Sequence, residues 1–97
     1  MKYKLILRKG AEKDLSEAHH WYNEKVQGLG AEFLAAVERT LNAIQTNPPG
    51  YPIIHQTVRR ALLHRFPYGI FFIWDRERIS VLAVMHTARD PRKWRKA

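Results

Sequence analysis

Cysteine is absent from the 97-residue sequence, and long apolar runs are absent as well. Without cysteine the chain can form neither a disulfide nor a thiolate metal site, so a reducing cytoplasm is its expected setting. The amino-terminal apolar run is too short for a signal peptide, and no segment is long enough to span a membrane. We therefore expect a cytoplasmic protein that makes no membrane contact.

Several familiar reactive sites are missing too. Serine occurs only at Ser16 and Ser80, neither in a nucleophile-elbow context, and no phosphate-binding glycine motif is present. The sequence has five histidines, but none lies at ligand spacing from another histidine or a carboxylate. His19 and His20 are adjacent, so on a helix they point to different faces. The sequence therefore predicts no metal ion and no cofactor.

Acidic residues are scarce in the second half of the chain. Residues 1–54 hold seven Lys/Arg and six Asp/Glu, a net +1, whereas residues 55–97 hold ten and three, a net +7. The whole chain carries +8, with 45% hydrophobic residues and 27% charged ones, which is typical of a globular domain. The length predicts one domain over residues 1–97. The uneven charge predicts an anionic partner for the carboxyl-terminal half.

The first half has the pattern of a strand followed by two helices. Residues 3–8 form a short, imperfectly alternating run typical of a strand. Apolar positions spaced by three and four then define helical stripes over residues 11–26 and 34–44, separated by a Gly-Leu-Gly break. Asn47-Pro48-Pro49-Gly50 ends the second helix, because proline lacks the backbone amide. The two helices are expected to form an antiparallel hairpin.

The second half has the pattern of a three-stranded meander. Residues 53–57 are expected to be an irregular loop. Strands are predicted over residues 58–66, 70–74 and 79–86, joined by short turns that contain Pro67-Tyr68-Gly69 and Asp75-Arg76-Glu77-Arg78. With the amino-terminal strand added to one edge, the predicted class is α+β. Its order is β-α-α-β-β-β, an antiparallel four-stranded sheet packed against an amino-terminal helical hairpin.

Histidine and arginine in the strand half suggest one possible chemistry. Cleavage of RNA through its 2′-hydroxyl needs a base near neutral pKa, an acid for the leaving oxygen and cations for the phosphate. The candidate set for this chemistry is His64, His86, Arg65 and Arg89. A purely structural alternative stays open, in which His86 bonds to backbone at a strand end, His64 is a sheet residue and the arginines are ion-pair partners.

A basic surface is the second kind of site that the sequence predicts. The tail from Asp90 begins with a predicted cap followed by Pro91, so residues 90–94 are expected to form one helical turn. Trp94 would either pack back on the domain or contact a partner. The candidate partner-binding residues of this surface are Arg59, Arg60, Arg65, Arg89, Arg92, Lys93 and Trp94.

The sequence resembles the RelE/ParE toxin superfamily. The segment Arg60-Ala-Leu-Leu-His-Arg-Phe-Pro-Tyr68 and above all residues 81–94 carry the resemblance, and the His-x-x-Arg-Asp-Pro-x-x-Trp ending is similar to that of ParE-type members. Upstream, the Ala-x-x-Asp-Leu motif, Trp21-Tyr22, Ala-Glu-Phe-Leu over residues 31–34 and the Asn47-Pro48 stop fit the same pattern. The resemblance covers nearly the whole chain.

The resemblance implies a toxin of a type II toxin–antitoxin system. A cognate antitoxin, ParD-like or another DNA-binding protein with an acidic tail, would neutralise it in a hetero-oligomer. For ParE-type members the implied activity is poisoning of DNA gyrase, with no chemistry by the toxin itself. For RelE-type members it is cleavage of messenger RNA in the ribosomal A site.

The residues favour the ParE-type activity, gyrase poisoning, and leave the RelE-type activity, cleavage of messenger RNA, open as an alternative. The lysine-rich second strand of ribosome-dependent nucleases is missing here, where Arg59 and Arg60 stand, and no tyrosine follows the last strand. His64 and His86 keep the ribonuclease alternative open. A nucleic-acid-binding module without toxicity is the third alternative.

Overall fold

The computed structural model describes residues 2–88. The helical turn expected over residues 90–94 lies outside them. Neither helix in this part of the chain has the length and apolar character needed to cross a bilayer. The elements in chain order are β1 (Lys4–Leu7), α1 (Lys9–Lys25), α2 (Leu29–Thr46), a 3-10 turn (Pro48–Gly50), β2 (Ile53–His55), β3 (Val58–Leu62), β4 (Tyr68–Trp74) and β5 (Arg78–His86).

One five-stranded sheet is formed, in the order β1-β5-β4-β3-β2. Strands β2 to β5 pair antiparallel, whereas β1 pairs parallel with β5. The α+β class with its amino-terminal helical hairpin is confirmed, with one strand more than expected. The extra strand, β2, occupies the first three residues of the expected loop; so short a strand shows no alternation. Alternation predicts the face that a residue takes and carries no information on strand direction, so the parallel pairing was not foreseen.

Glycine and asparagine build the turn between the helices. Gly28 has a φ of 88°, in the left-handed region that favours glycine. The Oδ1 of Asn23 accepts hydrogen bonds from the backbone N–H of Gly28 and Gly30, both at 3.1 Å. A Cβ on Gly30 would lie 2.7 Å from the backbone oxygen of His19, so only glycine allows the helices to approach this closely. The hairpin is therefore fixed by short-range contacts.

The sheet has two different faces. The face covered by α1 and α2 holds the main core, whose largest fully buried side chains are Phe33, Phe72, Ile44, Ile70, Ile79 and Val81. The opposite face, called here the far face, carries a separate cluster of buried Val58, Phe71 and Met85 to which no helix residue contributes. The far face is therefore the side of the sheet that α1 and α2 leave uncovered.

Candidate functional site

The loop between β3 and β4 begins earlier than the sequence predicts. Strand β3 ends at Leu62 instead of continuing to residue 66. Arg65 takes a φ of 76°, which breaks the alternation that would have kept residues 63–66 on strand faces. As a result, Leu63 and Phe66 are both buried, and His64 is exposed in the loop. His64 is thus a loop residue rather than a sheet residue.

His86 lies at the end of β5, opposite Tyr68 in the register of β4 and β5. Its Nδ1 accepts a hydrogen bond of 3.0 Å from the backbone N–H of Ala88, and its ring packs edge-on to Tyr68 at 5.3 Å between centroids. Leu63, the neighbour of His64, pairs with Tyr68 from the other side. Two strand spacings, about 10 Å, therefore separate the backbone of His86 from that of Leu63, the residue before His64. Among the described residues, no hydrogen bond or ring contact joins His64 to His86.

Two of the predicted cations already have partners inside the protein. The Nη1 of Arg59 donates to the backbone oxygen of Tyr51 at 2.6 Å, and its guanidinium lies 5.7 Å from the ring centroid of Trp74. Arg65 forms an ion pair of 2.9 Å with Glu32 at the start of α2 and lies over the ring of Phe66. Arg59 therefore fixes the segment before β2, and Arg65 links the β3–β4 loop to the helical hairpin.

Arg60 differs from Arg59 and Arg65. It stands opposite Phe71 in the register of β3 and β4, so its side chain lies on the far face. Its Nε is buried and has no hydrogen-bond partner among the residues that the structure describes. The Cβ position of Gly69 is 3.3 Å from the Cγ of Arg60, so the arginine stem lies directly on bare backbone. Arg60 is a partly buried cation without an internal partner in this part of the chain.

A groove of about 560 Å³ runs between α1 and the ends of β4 and β5. Its lining residues include Asp14, Trp21, Tyr22, Tyr68 and His86. The sequence analysis identified only His86 among these. Its lining combines the carboxylates of Asp14 and Glu17, three aromatic rings of α1 and β4, and the imidazole of His86.

Asp14 could have been found from the sequence. It lies three residues after Ala11 and four before Ala18, so it falls on the buried stripe of α1, where a carboxylate needs a partner. Its Oδ2 accepts a hydrogen bond of 2.9 Å from the backbone N–H of Val84. The Ala-x-x-Asp-Leu motif thus ties α1 to β5.

Four aromatic rings support the floor of this groove. Phe33 lies 5.2 Å from Tyr22, 5.5 Å from Phe66 and 5.1 Å from Tyr68, measured between ring centroids. Burial, and secondarily the charge of Tyr68, raise the pKa of Tyr22. This aromatic cluster joins both helices, the β3–β4 loop and β4, so it holds the site elements in one rigid arrangement.

The remaining predicted site residues, Arg89, Arg92, Lys93 and Trp94, lie outside the described residues. Contrary to the expectation that no histidine lies at ligand spacing from a carboxylate, His20 Nε2 lies 3.4 Å from an oxygen of Glu24, one helical turn away. Within residues 2–88, no group of three or more His, Asp or Glu side chains could hold a metal ion.

Fold and site together define a small basic domain whose sheet and groove are suited to binding. A family model described as the ParE toxin of the type II toxin–antitoxin system parDE matches residues 5–91. The chain therefore belongs to the ParE toxin family, which confirms the resemblance.

A solved structure shares the fold. It comes from the chromosomal ParDE toxin–antitoxin system of P. aeruginosa, with a TM-score of 0.78 and 17% sequence identity. The alignment covers 88% of this chain and 96% of that chain. None of the curated proteins compared with the sequence matches it.

Proposed function

We propose that this ParE-type toxin inhibits DNA gyrase by binding to it, and so halts replication, without cutting a substrate itself. The observation that carries the proposal is the separation of the two histidines. His64 stands in the β3–β4 loop, and the Nδ1 of His86 is occupied by the amide of Ala88. General acid–base catalysis needs both groups within hydrogen-bond reach of one substrate, and here a loop carries one histidine while a strand end carries the other.

Charge supports a cognate antitoxin as the neutralising partner. The five strands contain no Asp or Glu, although they contain Lys4, Arg59, Arg60 and Arg78. An acidic antitoxin segment would be attracted to such a sheet and its basic surroundings, and complementary potentials raise the rate of association. The toxin and antitoxin would then form a hetero-oligomer in which the toxin is silent.

Supercoiling of relaxed plasmid by purified gyrase tests the proposal. Added toxin is expected to abolish supercoiling, and toxin mixed first with the product of its parD gene is expected to leave supercoiling intact. A variant with His64→Ala and His86→Ala, checked for folding by its thermal transition, should inhibit as the wild type does. Gyrase that keeps working at saturating toxin would contradict the proposal.

The ribonuclease alternative has its own outcome. Messenger RNA cleavage in a reconstituted translation mixture, lost in the double histidine variant, would replace gyrase inhibition with ribosome-dependent cleavage. A toxin that affects neither gyrase nor translation but binds DNA or RNA with a steep salt dependence would be a simple nucleic-acid-binding module.

A further inference from the structure

Arg60 is the one arginine of β3 whose burial is not compensated inside the described chain. A guanidinium that leaves water loses hydration, and this loss is normally offset by a hydrogen-bonded anion. Its Nε is buried without an acceptor, and no ion pair involves Arg60 among residues 2–88. Arg59, the preceding residue, binds a backbone oxygen at 2.6 Å, so β3 does not leave its cations unpartnered as a rule.

The surroundings of Arg60 are apolar. Val58, Phe71 and Met85 form the buried cluster of the far face, and Leu62, two positions along the strand, is 56% exposed. The arginine stem lies over Gly69, where a Cβ would be only 3.3 Å from the Cγ of Arg60. The far face therefore combines a partly buried cation with a buried apolar cluster and an exposed leucine.

This combination fits a particular kind of ligand. Nucleic-acid phosphates are usually contacted by several solvated cations, and such contacts need no apolar surface beside them. A carboxylate on a peptide that also carries apolar side chains matches both features. A guanidinium binds a carboxylate through two parallel hydrogen bonds, and the low local dielectric strengthens them.

We propose that Arg60 binds a carboxylate of the antitoxin's acidic segment, and that Leu62 contacts an apolar side chain of the same segment. The proposal rests on the antitoxin part of the proposed function and not on gyrase. The five strands contain no Asp or Glu, so no strand residue of the toxin itself could supply this carboxylate. The antitoxin, which must hold the toxin silent for long periods, gains from a desolvated charge pair because such pairs mainly slow dissociation.

A second consequence concerns the free toxin. If the acceptor for Arg60 comes from a partner, the arginine destabilises the free toxin, because its buried Nε has no acceptor among the described residues. Methionine has a similar length and no polar atom that needs a hydrogen bond. Arg60→Met is therefore expected to leave the free toxin at least as resistant to heat as the wild type, while antitoxin binding weakens.

Titration calorimetry with the full-length product of the toxin's own parD gene tests the assignment. Arg60→Met should weaken binding at least tenfold, as expected for a lost charge-assisted hydrogen bond. The affinity of Arg60→Lys should lie between those of the wild type and Arg60→Met, because an ammonium cannot form the two parallel hydrogen bonds of a guanidinium. The matched control is Arg39→Met, an exposed cation on α2, which should change the affinity by less than about twofold.

Substituting each Asp and Glu of the antitoxin by its amide then identifies the partner. For one carboxylate, the amide substitution is expected to weaken binding to the wild-type toxin but to have little effect on binding to the Arg60→Met toxin. Such coupling is the signature of a direct pair. The assignment is overturned if no antitoxin carboxylate couples to Arg60, if Arg60→Met binds like the wild type, or if it lowers the unfolding temperature markedly. It is also overturned if Arg60→Met abolishes gyrase inhibition while antitoxin affinity is unchanged, since Arg60 would then belong to the target surface. A wild-type toxin that leaves gyrase active contradicts the proposed function alone.

Discussion

Replacing Phe33 with alanine is expected to produce a large loss of stability. Phe33 is fully buried on α2 and lies within 5.5 Å of three aromatic rings, which belong to Tyr22, Phe66 and Tyr68. Truncation would leave a cavity at the point where both helices, the β3–β4 loop and β4 meet. The neighbouring Leu34 is 38% exposed on the same helix, so it provides a matched control.

The magnitude follows from burial and ring packing. Truncating a buried phenylalanine costs about 3–5 kcal/mol, and each aromatic pair contributes about 0.5–1.5 kcal/mol beyond its area. Three such pairs put Phe33→Ala at the upper end, about 5 kcal/mol, against a total stability of about 5–15 kcal/mol for a domain of this kind. Leu34→Ala should cost about 1 kcal/mol, because much of that side chain remains in water.

Urea denaturation followed by tryptophan fluorescence measures both variants. For a domain of this size, about 5 kcal/mol lowers the melting temperature by about 20 °C or more, so Phe33→Ala is expected to be barely folded at 37 °C. If the two variants unfold at the same urea concentration, the aromatic cluster does not hold the helices to the sheet. The description of the groove floor would then be wrong.

Three further outcomes are expected. Asp14→Ala leaves the N–H of Val84 without its acceptor and should cost about 1–3 kcal/mol in denaturant titrations; an unchanged midpoint would contradict the bond. Arg59→Ala should lower stability by about 1–2 kcal/mol and Arg65→Ala by less than about 1 kcal/mol, because the Arg65 pair is exposed; the reverse order would refute this ranking. The raised pKa of Tyr22 means that the folded state holds the phenolic proton more tightly than the unfolded state, so its contribution to stability is present below pH 10 and is lost above it. Relative to the wild type, Tyr22→Phe should therefore gain stability in urea titrations as the pH rises from neutral to about 11, and a constant difference would contradict the shift.

The helices and the central strands could be predicted because their signals are periodic. The stripe that includes Ala11, Ala18 and Tyr22 lies buried as expected, and α2 stops before Pro48. Val26 shows where periodicity misleads, because the helix has already ended at Lys25 and the side chain is 59% exposed. Strand β2 was missed because three residues are too few for a pattern.

The candidate site was only partly predictable, since sequence identifies residue types but not their partners. Three arginines of the same predicted role have different surroundings. Arg59 binds a backbone oxygen and Arg65 pairs with a carboxylate, whereas Arg60 has no partner within residues 2–88. The positive φ of Arg65 removes His64 from the strand, which alternation cannot reveal. The groove was not predicted because it forms between α1 and β5, which are far apart in the sequence, and Asp14 and Glu17 are the only acidic residues that α1 contributes to its lining.

The pairing of β1 with β5 determines when the sheet can be completed. Leu5 aligns with Ile79, so the first strand to be synthesised has to wait for the last one. Closing so long a loop is slow compared with forming a helical hairpin from neighbouring residues. During translation, both helices can therefore exist well before the sheet does. A chain that terminates before residue 78 lacks β5, the strand with which β1 pairs, so aborted synthesis cannot release a complete sheet.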